Sequence, residues 1–230
     1  MIEYLSVREV FFMFITPLCI LKLKQIISQN LSVKDYHNIL LPYDKFMRKY
    51  NICLIFTSYL WSSVKSPNAT AINNKFVMVN PYWIKEIVSC SNNILLQDVF
   101  YQTLGHEISH TLYRLPPEIY EIRHSCEIKN HTGNFVAWIN ELYADFNSIK
   151  IIFDGNRSKG IECFCYKMEQ FQIDKTLDTK SHPSLKRRLY YIQNYDFTEA
   201  LIRDIATYLQ YPTNSEISQV VSYFPEIVLH

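Results

Sequence analysis

The chain has 230 residues, 48% of them hydrophobic and 15% aromatic, enough for one sizeable core and too few for several independent domains. Its 23 Lys and Arg against 22 Asp and Glu leave a formal charge of +1, which supplies no general attraction for nucleic acid or an anionic membrane. Only four glycines are present, and neither GxGxxG nor a Walker-type GxxxxGK[ST] occurs, so the common nucleotide-binding loops are missing.

Residues 1 to 50 read as mostly helical, with a start signal at Ser32. Within them "VFFMFITPLCIL", Val10 to Leu21, is apolar but too short to span a bilayer, contains Pro17, and follows Glu3 and Glu9 rather than a basic segment. It reads as a buried helix, with no integral membrane segment, in a soluble and cytoplasmic protein. "NICLIFTSYLW" and "KFVMVNP" are rich in β-branched and aromatic residues and predict two strands around the loop "SSVKSPNATAINN".

From about Asp98 the period turns helical. Tyr101, Leu104, Ile108 and Leu112 share one flank, and "RLPPE" ends the helix because a residue before proline avoids the helical region. The next segment, "EIYEIRHSCEIKNHTGN", is polar and unpatterned. A second helix follows over Phe135 to Phe153, then a mixed stretch, then "SHPSLKRRLYYIQNY" and the helical "TEALIRDIATYLQ". Helices, a few strands, then helices predict an α+β fold, mostly helical with a small sheet. The six cysteines are scattered with no CxxC pair and read as reduced thiols; Cys163 and Cys165 alone make a weak soft-metal signal.

The first strong helix carries "GHEISH". Residues four apart on a helix share a face, so His106 and His110 can hold one ion while Glu107, one step round the axis, reaches a water on it. This is the physical content of HExxH: two neutral imidazoles bind Zn²⁺ and the carboxylate acts as general base. Gly105 is awkward here, since glycine inside a helix costs about 1 kcal/mol relative to alanine; a close backbone approach would explain it. A catalytic zinc normally takes a third protein ligand. Tyr113 and Pro116 stand where the HExxHxxGxxH pattern needs glycine and histidine, so that continuation fails. "NELYAD" on the second helix offers Glu141 as the ligand and, one turn on, Asp145 to accept a hydrogen bond from a ligand histidine. His124 and His131, in the polar segment between, are the competing third ligands.

An HExxH helix followed by an ExxxD helix resembles the gluzincin class of zinc peptidases. "SHPSLKRRL" resembles the HPxxxxR loop of the CAAX-prenyl-protease and HtpX-like family, matched at His182, Pro183 and Arg188, and "SPNATA" resembles that family's Asn-Ala segment at Asn68 and Ala69. The resemblance spans roughly residues 50 to 192. It implies that His182 lies near the metal, either stabilising the oxyanion or filling the open coordination position, and that Arg188 anchors the loop by pairing with a carboxylate. It also implies that Asn68 and Ala69 border the substrate. The membrane helices of the family's best-known members are absent, so a prenylated substrate is not implied. "TLGHEISH" with "NELYADFNSIKII" is also similar to the ImmA/IrrE-type peptidases and, more broadly, to Lit, with the same four residues in the same roles.

These readings predict one zincin-like domain over 1–230: a helical extension to residue 50, a catalytic core over 51–192 and a helical portion over 193–230. The expected activity is zinc-dependent hydrolysis of a protein or peptide substrate, with "KFVMV" as the edge that holds an extended chain. The alternative is a metal-binding regulatory or interaction module that cleaves nothing. Tyr113 and Tyr143 are further candidates for an oxyanion donor, and "LKRR" reads as a solvated helix start with one buried arginine. Oligomeric state has no signature in the sequence.

Overall fold

The structure is a computed structural model that describes residues 49–56, 69–72, 76–80, 82–90, 92–128, 133–170, 176–210 and 212–230. The helices expected before residue 49, with Val10 to Leu21, lie outside the described residues. Two compact units divide the chain between Asn93 and Ile94.

In the first unit, β1 (Cys53–Phe56), β2 (Ala69–Ile72) and β3 (Phe76–Val79) form a sheet in the order β1-β3-β2. β1 runs parallel to β3, with Cys53 opposite Phe76, and β2 runs antiparallel, with Ala69 opposite Val79. Val77, Met78 and Val79 are all buried, as a continuous apolar run covered on both faces requires. Two expectations are corrected here. "ATAI", read as loop, is strand β2; its small residues carry little hydrophobic signal, and pairing with β3 overrides that weakness. β3, read as a substrate-binding edge, is the central strand, with its backbone hydrogen bonds already shared between two neighbours; among the described strands the edges are β1 and β2. Helix α1 (Tyr82–Ser89) follows and buries Trp83 and Ile87, four residues apart.

The second unit is helical: α2 (Ile94–Leu112), α3 (Pro117–Ile128), α4 (Phe135–Ile152), α5 (Arg157–Gln170), α6 (Leu185–Asn194), α7 (Glu199–Leu209) and α8 (Asn214–Tyr223). An α+β, zincin-like architecture, mostly helical with a small sheet, therefore holds among the described residues. Helix α4 is its axis. Asn134 caps it by accepting from the Ala137 amide, and every residue from Phe135 to Ile149 except Asn140 is buried. α2 and α3 pack on α4, and α5 packs on both α2 and α6.

Helices α3 and α5 replace stretches read as unpatterned and mixed. In α3, Pro117 opens the helix and, over residues 117–125, Ile119 and Ile122 are the buried ones; in α5 the buried set is Gly160, Cys163 and Phe164, too sparse to give a visible period. Residues 193–230 join the main core: Phe197, Leu201, Ile205, Val220 and Phe224 lie in one apolar cluster with Trp138, Leu142 and Phe146 of α4. Among the described residues no helix is long and apolar enough to cross a membrane.

Candidate metal centre

The site begins with the approach of α2 to α4. A Cβ at Gly105 would stand 2.7 Å from Ile152 Cγ1 and 3.2 Å from Ser148 Cβ, so glycine lets the two backbones close, as its place before the HExxH suggested. The Ser109 hydroxyl donates to the Gly105 carbonyl at 2.8 Å and accepts from Asn147 Nδ2 at 2.9 Å, a polar link between the two helices.

Across the seam His106, His110 and Glu141 converge, with donor atoms that all lie within 4.8 Å of one another. His106 Nε2 is 3.1 Å from His110 Nε2 and 3.3 Å from Glu141 Oε2; His110 Nε2 is 3.3 Å from Glu141 Oε1. Three ligands at about 2.0–2.1 Å from a tetrahedral zinc are separated by roughly 3.3 Å, and each imidazole stands at that distance from one oxygen of the carboxylate, His106 from Oε2 and His110 from Oε1. Glu141 Oε2 is buried without a hydrogen-bond partner, and two imidazole nitrogens face each other at contact distance. A divalent cation resolves both, so the residues present fit the ion.

The surrounding groups set the histidines for this role. Asp145 Oδ1 lies 2.8 Å from His106 Nδ1; a carboxylate only accepts, so Nδ1 holds a hydrogen and Nε2 is the nitrogen that gives up its proton to a metal. Burial works against charge on His106, but Asp145 and Glu141 outweigh it and raise its pKa to about 9. Burial pushes the Asp145 carboxyl up, yet Arg188 more than offsets this and holds it at about 2. Arg188 meets Asp145 as a fork, Nε to Oδ2 at 2.7 Å and Nη2 to Oδ1 at 2.5 Å. Glu141, likewise opposed by burial, is drawn well below the usual carboxylate range by His106 and His110.

Asn140, quoted in "NELYAD" but given no part above, lies 3.2 Å from His110 Nδ1. The facing atom is the amide nitrogen, Nδ2, which donates to Nδ1; a His110 that lends Nε2 to a metal carries its hydrogen on Nδ1, and the Asn140 amide, whose two ends are interchangeable in shape, must then turn to present its oxygen. Its signal was adjacency to the ligand glutamate. His182 stands on the loop before α6, with Nε2 3.4 Å from Glu141 Oε1 and its side chain 56% exposed; it is not one of the three residues in the mutual donor set. Burial, with the Arg188 charge adding to it, lowers its pKa. Glu107 is half-buried on α2, and its charge is felt by Arg188 and by Lys167 of α5, whose own pKa is brought to about 8 by burial and Arg188.

Other candidates sit elsewhere. Tyr143 is buried against Tyr113, Phe197 and Phe224, a packing role. His124 is exposed on α3 and His131 lies outside the described residues, as does Asn68. Ala69 opens β2 in the first unit. Cys163 is buried and Cys165 half-buried, both free thiols, and burial pushes the Cys163 thiol up to about 12.

In comparisons with protein-family models, curated proteins and solved structures, nothing matches this chain, so the metal-binding triad stands on its own geometry.

Proposed function

We propose that the protein is a zinc-dependent metallopeptidase of the gluzincin type that hydrolyses internal peptide bonds. The observation that carries this reading is the set of two imidazoles, one buried and one half-buried, and one buried carboxylate at 3.1–3.3 Å spacing, with a second carboxylate, Glu107, directly after the first ligand.

Zinc held by His106, His110 and Glu141 would supply Lewis acidity and bring the pKa of water at the site to about 7. Glu107 takes the proton of the attacking water and later delivers it to the leaving amine. His182 Nε2 donates to the oxygen that gains charge as the carbonyl is attacked. Asp145 keeps His106 in the ligand tautomer, and Arg188 holds Asp145 ionised.

The test compares wild type with Glu107→Gln for bound zinc and for cleavage of a peptide library. Both proteins should hold one zinc, and the variant should lose at least about 100-fold in turnover. Zinc in both with no cleavage by wild type would instead support a metal-binding interaction module, and no zinc in either would end the proposal.

A further inference from the structure

His182 is an exposed side chain that must be placed accurately, between the exposed Ser181 and the buried Pro183. Its loop is tied down by backbone and side-chain hydrogen bonds. Thr179 closes over it, donating from its amide to the His182 carbonyl at 2.9 Å while Thr179 Oγ1 accepts from the His182 amide at 3.0 Å. The Trp138 indole donates to the Thr179 carbonyl at 3.0 Å, and the Asn134 amide donates to the Lys180 carbonyl at 2.8 Å, fixing the loop to the start of α4.

Asp178 fixes the other side. It accepts from the Ser184 amide at 2.8 Å and takes the Arg187 guanidinium, Nε at 3.1 and 3.0 Å and Nη2 at 2.7 Å. The same guanidinium donates to the Tyr208 hydroxyl at 2.7 Å, lies 3.9 Å from the centre of that ring, and faces Trp138 at 5.6 Å. Trp138 and Tyr208 stack at 5.9 Å with 21° between their planes. Arg187 was read as a solvated residue of "LKRR"; with its side chain 25% exposed, it is the centre of a latch joining α4, α6, α7 and the loop. A fork that grips a carboxylate while its face covers an aromatic ring is an arginine geometry that lysine cannot reproduce.

We propose that Arg187 and Asp178 are positioning residues for His182. They hold the loop so that the imidazole stands beside the metal-binding set. Ser181 adds the orientation, its hydroxyl lying 2.7 Å from His182 Nδ1. Only the catalytic use of His182 rests on the peptidase reading; its placement does not.

The experiment uses zinc-loaded protein, since zinc is diamagnetic and leaves NMR signals intact, with the His182 ring signal identified by its loss in His182→Ala. In Arg187→Met, Arg187→Lys and Asp178→Asn the ring signal should shift or broaden while bound zinc stays at the wild-type level. On a peptide that wild type cleaves, kcat should fall by about 10- to 100-fold with KM within about twofold, because small displacements of a reacting group are costly. Arg187→Lys keeps the charge and the stem, so it carries the test if Arg187→Met does not fold. An unchanged His182 signal in Arg187→Lys and Asp178→Asn overturns the proposal, as does a turnover loss that only tracks lost zinc. If wild type cleaves no peptide, the ring signal alone decides, and the peptidase reading fails separately.

Discussion

Helix α4 and the loop at residues 178–184 both bring a group to Glu141 and its histidine partners, yet they are fixed by different physics. α4 is placed by burial: its ligand and its orienting acid, Glu141 and Asp145, are 8% and 2% exposed within an apolar helix. The loop is placed by directional bonds between polar groups, most of them within reach of water. Burial gives stiffness at the price of committing charges to a dry interior, whereas a hydrogen-bonded loop keeps its imidazole accessible. A metal-binding carboxylate therefore suits the helix, and an accessible imidazole suits the loop.

The contrast can be broken most forcibly at Asp145. Asp145→Asn leaves Arg188 buried with half its fork unmet, and breaking a buried pair from one side costs about 3–5 kcal/mol. Chemical unfolding should report that loss. The same variant should bind zinc about 10- to 100-fold more weakly, because the hydrogen on His106 Nδ1 is no longer enforced.

Acid tests the same carboxylate without a mutation. The Asp145 pKa in the folded protein is about 2, below the ordinary value of 3.8. A depressed folded value means that this stabilisation is complete above about pH 4 and drains away as pH falls through about 2. Asp145→Asn should lose about 2 kcal/mol less than wild type over that window, read as the difference in denaturant midpoints. Identical acid profiles would show that Asp145 is not the group responsible.

A smaller effect probes the packing side alone. Gly105→Ala gains about 1 kcal/mol of helix propensity but drives a methyl group against Ile152 and Ser148. A net destabilisation of about 1 kcal/mol is expected in thermal unfolding, with the His182 ring signal unmoved. Movement of that signal would mean that the loop and the helix seam are coupled after all.

The two helices that carry the metal donors were legible because chemistry and period coincide there: "HEISH" and "NELYAD" lie inside strongly helical stretches. Asp145 and Arg188 were found as well, the first from helical spacing and the second through the HPxxxxR resemblance, and the structure pairs them. Helices α3 and α5 were not legible, since the buried side chains described in each are too few to impose a period. β2 was hidden because its residues are small and its partner strand supplies what its own pattern lacks. Asp178 and Arg187 escaped for another reason: nine residues separate them, and only the turn between brings their charges together.

One consequence follows from how far apart the site's components lie along the chain. Arg188 reaches the His106 ring across 82 residues, and Glu141 joins the two histidines only after α4 has docked on α2. An early-folding chain offers an incoming ion at most the two histidines of one turn. The full grip exists only once the helices have met, so metal affinity adds its stabilisation to the finished fold and contributes little to the nucleus from which that fold grows.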